Sequence, residues 1–198
     1  MMTYKNQSEI LDVLLGVSYG IITGTSKTNS IDILDVGSGK TSITSIVNSC
    51  EVLGFKAKVD AIIHPDDSMK IKSVKNLHLP SYVHIHTEDM KDLKWEKQYD
   101  IVFAHLFLGF ASSFNSSLNS YMALMSVFGI KSKIYVIMDY KENPDIAWDN
   151  IRMHLSAVRD HEYGKTVLLY NEFPLQKPVN FAQFTGKTVV SYIIASKK

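Results

Sequence analysis

The sequence predicts an α/β fold: a single doubly wound, mostly parallel sheet with helices on both faces and an antiparallel strand pair at its C-terminal end. Three observations predict it. Apolar, strand-like runs alternate with helical stretches through the first five units. The first strand ends in a glycine turn, Asp35-Val36-Gly37-Ser38-Gly39, that opens directly into a helical pattern. Two late strands then follow one another with no helical stretch between them.

Taken in order, residues 8–22 read as a helix that Ser8 can cap, with Ile10, Leu11, Leu14, Leu15 and Val17 forming its apolar stripe and Gly24 beyond its end. Residues 31–36 form the first strand. The helix over 41–53 carries Ile43, Ile46, Val47, Cys50 and Leu53 at helical spacing, and Gly54 follows as its C′ residue. Its many Ser and Thr residues give it low intrinsic propensity, so packing has to hold it. Residues 57–63 are a second strand, and Pro65-Asp66-Asp67 starts a helix that runs to about Asn76. Third and fourth strands occupy 82–86 and 100–107, the latter a nearly continuous apolar run of the kind buried on both faces. A helix over 116–128, a strand over 133–138 and a helix over 145–163 ended by Gly164 come next. Strands over 166–173 and 187–195 close the chain, joined by an excursion through Pro174 and Pro178. The expected organisation is one domain over 1–198, with a helical segment, 1–30, packed on a core of 31–196.

Bulk properties bound the function. The 198 residues carry 21 Lys and Arg against 20 Asp and Glu, so the basic footprint of a general nucleic-acid binder is missing. Cys50 is the only cysteine, which excludes an intrachain disulfide and a thiolate metal cluster. No apolar run reaches the ~20 residues needed to cross a bilayer as a helix. No basic stretch followed by a long apolar core marks a signal peptide, so a cytoplasmic location is the expectation. The oligomeric state is not readable.

The glycine turn admits three readings. Gly39-Lys40-Thr41 has the look of a phosphate-binding loop, but that loop needs a glycine five residues before the Gly-Lys pair, and Leu34 stands there, inside the strand. The strand over 134–139 does end in an aspartate, as a magnesium-binding strand would, yet such strands are common in parallel sheets. A dinucleotide fingerprint needs a third glycine, where Ser42 stands, although Asp60 lies near the offset of a ribose-binding acid. Neither pattern accounts for Asp35.

The third reading takes in more of the chain. Asp35-Val36-Gly37-Ser38-Gly39 resembles the D-x-G-x-G opening of class I S-adenosylmethionine-dependent methyltransferases. Residues 87–93, Thr-Glu-Asp-Met-Lys-Asp-Leu, resemble that family's acidic segment after the third strand, and Gln98-Tyr99-Asp100-Ile101-Val102 resembles its aromatic-Asp entry to the fourth. The order of these motifs matches too, over about residues 30–196, and the family's seven-strand sheet with an antiparallel last strand agrees with the element order.

The resemblance implies S-adenosylmethionine as cofactor and methyl transfer as activity. Gly37, Ser38 and Gly39 would let backbone approach the methionine part of the cofactor, and Asp35 would help hold its ammonium group. Thr41 replaces the family's usual third glycine. An acid at the end of the second strand would bind the ribose hydroxyls; Asp60 has the spacing, although Ala61-Ile62-Ile63 continue the strand beyond it, and Asp66 or Asp67 could reach instead. Asp89 would accept from the adenine amino group, with the Met90 backbone beside it. Ala104, His105 and Phe107 would face the methyl group, and His105 is the candidate general base because an imidazole titrates near neutral pH. The Asn/Asp-Pro-Pro-aromatic signature of many amino-methylating enzymes is missing at this site, which with the neutral charge points to a small-molecule acceptor. Asp139, Tyr140 and the run Phe107-Leu108-Gly109-Phe110 are candidates for an acceptor pocket. His64, His78, His84 and His86 lack a carboxylate-rich motif, so no metal is expected. A non-catalytic module that keeps this fold, and a phosphate-loop nucleotide binder, are the competing functions.

Overall fold

A computed structural model describes residues 4–25, 30–89, 97–105, 127, 130–141, 166–179 and 186–197. Its seven strands are β1 (Ser30–Val36), β2 (Lys56–Ile63), β3 (Val83–Thr87), β4 (Tyr99–His105), β5 (Ser132–Tyr140), β6 (Thr166–Pro174) and β7 (Val189–Lys197). They form one sheet in the order β3-β2-β1-β4-β5-β7-β6. β1 to β5 are mutually parallel, and β7 runs antiparallel to β5 on one side and to β6 on the other. β6 and β7 follow one another in chain order and pair antiparallel along their length. The expected α/β sheet and its antiparallel C-terminal pair are therefore present.

Three helices are described: α1 (Gln7–Thr25), α2 (Lys40–Leu53) and α3 (Ser68–Lys75). The helices expected over 116–128 and 145–163 lie outside the described residues, apart from the buried, helical Val127. Residues 106–107, expected to end the fourth strand, and 107–110, expected to line a pocket, lie outside them too. α1, α2 and α3 share one face of the sheet. Ile10, Leu11, Leu14 and Leu15 of α1 and Ile46 and Cys50 of α2 pack in one cluster with Ile31, Ile33, Val59, Ile101, Phe103 and Ile134. These strand residues are in register across the sheet and so project to the same side. Ile43 of α2 and Val74 of α3 continue that layer over Ala61 and Ile63, toward the C-terminal ends of the strands.

Local chemistry moves some boundaries. α1 is capped by Asn6, whose Oδ1 accepts from the Glu9 backbone N–H at 3.2 Å, and Ser8 lies inside the helix. Gly24 does not end α1, which runs one residue past it. α3 starts after Asp67, whose carboxylate accepts from the Lys70 N–H, so Pro65 and Asp66 belong to the turn before it. The serines that make α2 a poor helix by propensity are its packing seam. Ser45 and Ser49 bond the side chains of Ser8 and Asp12 across to α1 at 2.5 and 3.0 Å. Gly54 closes α2 at φ 69°, as expected of a C′ glycine.

Candidate functional site

In an open α/β sheet the ligand crevice lies beyond the carboxyl ends of the strands, where the strand order reverses. Here the chain moves outward from β1 to β2 and β3, then returns to place β4 on the other side of β1. The reversal falls between β1 and β4. The glycine turn leaves β1 at that point, and Ala104 and His105 end β4 beside it, Ala104 in register with Val36.

The turn is built from behind. Asp35 is fully buried, and its Oδ2 accepts from the hydroxyls of Ser38 and Ser42 at 2.5 and 2.7 Å. Burial pushes its carboxyl up to about 6, against the lowering effect of the two serine hydroxyls and the Lys70 charge. Its Oδ1 is buried with no partner among the described residues. Gly37 sits at φ 74°, which a side chain resists. The Ser38 N–H donates to the Ile62 carbonyl at 2.8 Å and the Gly39 N–H to Ser42 Oγ at 3.1 Å. Two amides that a phosphate loop would turn toward its ligand are thus spent inside the protein, and Lys40 is the exposed first residue of α2.

A residue that carries no motif enters this site from α3. Lys70 Nζ donates to the Gly37 carbonyl oxygen at 3.0 Å and stands 3.6 Å from Asp67 Oδ2. Its methylenes cover Gly39: a Cβ on that glycine would meet Lys70 carbons at 3.6–3.8 Å. Burial lowers the pKa of its ammonium, and the charges of Asp67 and Asp35 oppose that shift. The only sequence signal was the Asp67–Lys70 spacing at a helix start, which puts one side chain over the other.

His105 is buried, with Nε2 lacking any partner among the described residues. Burial, and secondly the Lys70 charge, lower its pKa to about 3, so its imidazole is neutral at physiological pH. Further along the same edge, His64 follows β2 and its Nε2 stands 3.6 Å from Asp89 Oδ2, beyond the end of β3. Met90 lies outside the described residues. Asp139, near the end of β5, is fully buried, and its Oδ1 accepts from the Tyr140 N–H.

Asp60 is not with this group. It sits in the middle of β2, in register with Leu34, so its side chain lies on the opposite face from Asp35. Its carboxylate accepts from Tyr99 Oη at 2.9 Å and Lys97 Nζ at 3.2 Å, and His86 Nε2 stands 3.1 Å away. Burial alone would raise its pKa, but these partners hold it below the ordinary carboxylate value. Among the described residues no three His, Cys, Asp or Glu side chains converge on a metal position, and no helix is long and apolar enough to cross a membrane.

No protein-family model matches the sequence, and no curated protein matches it. Solved structures do. An N-methyltransferase from Bradyrhizobium japonicum in complex with S-adenosyl-L-homocysteine aligns over 96% of this chain and 86% of its own, with a TM-score of 0.64 and 9% identity. The magnesium protoporphyrin IX methyltransferase from Synechocystis with bound S-adenosylmethionine aligns over 97% of this chain and 80% of its own, at TM-score 0.60 and 12% identity. The plantazolicin methyltransferase, in complex with a triazolic desmethylPZN analogue and S-adenosylhomocysteine, aligns over 96% of this chain and 85% of its own, at TM-score 0.60 and 12% identity. The acceptors in two of these names differ from each other, so the likeness carries no acceptor. With its strand order and antiparallel β7, the chain has the fold of the class I S-adenosylmethionine-dependent methyltransferases.

Proposed function

We propose that the carboxyl edge of the sheet binds S-adenosylmethionine and that the protein transfers its methyl group to a small acceptor in the cytoplasm. One observation carries this reading. At the reversal point of the sheet, the Gly37 carbonyl already receives a primary ammonium group, that of Lys70, which is the chemistry that the amino-acid end of the cofactor would ask of the turn. The orphaned Oδ1 of Asp35, buried behind the same turn, fits a site that favours positive charge.

When bound, the cofactor supplies a methyl group on a sulfonium centre, already a good leaving group. The protein's share is then positioning. The Gly37–Gly39 turn would seat the methionine end, with Asp35 fixing its shape through Ser38 and Ser42. Asp89, steadied by His64, and the Met90 backbone would receive the adenine. Asp60 serves the sheet in this reading, because its carboxylate is engaged away from the edge by Tyr99, Lys97 and His86. Ala104 and His105 would border the reacting end. An imidazole held near pKa 3 is a weak base, so His105 acts as a neutral hydrogen-bonding group toward the acceptor.

A second reading, a non-catalytic module on the same fold, is favoured by Lys70 filling the turn. Calorimetric titration with S-adenosylmethionine, S-adenosylhomocysteine and ATP, followed by a methyl-transfer screen of metabolites, tests both. Binding of the sulfur compounds with turnover of a small acceptor is the expected result. Binding without turnover of any acceptor favours the module. A magnesium-dependent response to ATP alone overturns both readings.

A further inference from the structure

We propose that Lys70 is an internal occupant of the ammonium subsite: its side chain fills the glycine turn and must swing out before a ligand's own ammonium can be seated. The inference rests on the reading above, that this turn receives S-adenosylmethionine or its demethylated product. Three observations meet at Lys70. Its Nζ donates to the Gly37 carbonyl at 3.0 Å, so the acceptor a ligand ammonium would use is taken. Its methylenes lie against Gly39, on the surface that the missing side chain leaves open. A way out exists, because a quarter of the side chain remains in solvent and Asp67 Oδ2, 3.6 Å from Nζ, belongs to the residue that caps the same helix and can keep the charge paired after it leaves.

Two ammonium groups drawn to one carbonyl repel each other at close range, so seating the ligand favours the lysine-out conformation. Apparent affinity is then reduced by the fraction of molecules in that conformation. Any ligand that lacks the amino-acid end escapes this requirement, since it does not compete for the Gly37 carbonyl. Lys70 is therefore a binding determinant that discriminates by ligand charge.

Calorimetry of wild type, Lys70→Met and Lys70→Gln with two probes tests this. S-adenosylhomocysteine carries the ammonium group; 5′-methylthioadenosine keeps the nucleoside and thioether without it. The expected result is S-adenosylhomocysteine binding tightened about ten-fold or more in both variants, with methylthioadenosine changed less than about two-fold. Unchanged or weaker S-adenosylhomocysteine binding overturns the proposal while leaving the cofactor reading intact, as does an equal gain for both probes. Failure of both probes with all three proteins overturns the cofactor reading itself, and this inference with it. A second measurement needs no variant: acetylation of Lys70 in the native protein, read by mass spectrometry, should rise at least about three-fold when S-adenosylhomocysteine binds. A fall in labelling on binding means that the lysine stays inside and overturns the proposal.

Discussion

Tyr99 donates its phenolic hydrogen to Asp60 at 2.9 Å, joining the first residue of β4 to the middle of β2 across the intervening β1. Lys97 completes the tie, with its ammonium 3.3 Å from Asp32 of β1, 3.2 Å from Asp60 and 4.7 Å from the Tyr99 ring centre. This is a sheet-internal polar cluster, and its removal should cost stability without costing ligand. Tyr99→Phe keeps the buried ring and deletes one bond to a charged acceptor, worth roughly 1–3 kcal/mol. Urea denaturation measures it.

Asp60 and Asp89 should part company in binding. Asp60→Asn is expected to leave S-adenosylhomocysteine affinity within about two-fold while lowering stability, whereas Asp89→Ala should weaken affinity about ten-fold or more through loss of a polar contact to the adenine. Calorimetry on the two variants decides. A ten-fold loss in Asp60→Asn would return the ribose role to that residue.

Asp35 and His105 should give the protein opposing pH dependences. The folded Asp35 carboxyl titrates at about 6 against an ordinary 3.8, so the folded state holds a proton that the unfolded state releases, and stability falls as pH rises between those values. His105 is depressed to about 3 from 6.5, so the unfolded state takes up the proton first, and stability falls as pH drops through that range. Between about pH 4 and 6 the two slopes oppose each other. Relative to wild type, Asp35→Asn should gain of order 1–3 kcal/mol on going from pH 4 to pH 7. His105→Gln should show the opposite trend, gaining relative to wild type as pH falls from 6.5. Denaturant curves at several pH values show either sign directly. Two variants that track wild type at every pH would mean that neither group is as buried in solution as its surroundings here require.

How far the sequence could be read depends on the range of the interactions involved. The sheet was legible because each strand announces itself locally by apolar alternation, and because two strands without a helix between them leave few topologies. The glycine turn was legible for the same reason: Leu34 set the strand's reach and excluded the phosphate loop within six residues. The place of Asp60 was only half legible: Ala61, Ile62 and Ile63 carry β2 past it, as their apolar run implies, but its ties to Tyr99, Lys97 and His86 arise from residues 26 to 39 positions away. Ser8 has the chemistry of a cap, yet Asn6, two residues earlier, supplies the acceptor. For Lys70 the sequence offers only its spacing from Asp67, since its place at the turn exists only where α3 is laid against a segment 33 residues earlier in the chain.

Two glycines with nearly the same backbone offer the most direct separation of fold from site. Gly37 in the turn has φ 74° and Gly54 after α2 has φ 69°, and both lie in the left-handed region that costs an L side chain about 1–2 kcal/mol. Space is not the issue at Gly54, where a Cβ would meet nothing within 4 Å. Gly54→Ala should therefore lose about 1 kcal/mol of stability and leave ligand affinity unchanged. Gly37→Ala bears the same backbone cost but tilts the carbonyl that holds the Lys70 ammonium and shifts Ser38, whose N–H and hydroxyl pin the turn to Ile62 and Asp35. Its stability loss should be comparable, while S-adenosylhomocysteine affinity falls about ten-fold or more, and Gly37→Val should abolish binding. Matched thermal melts and titrations of the Ala pair separate the two effects. Equal stability losses with equal, unchanged affinities would place the ligand site away from this turn.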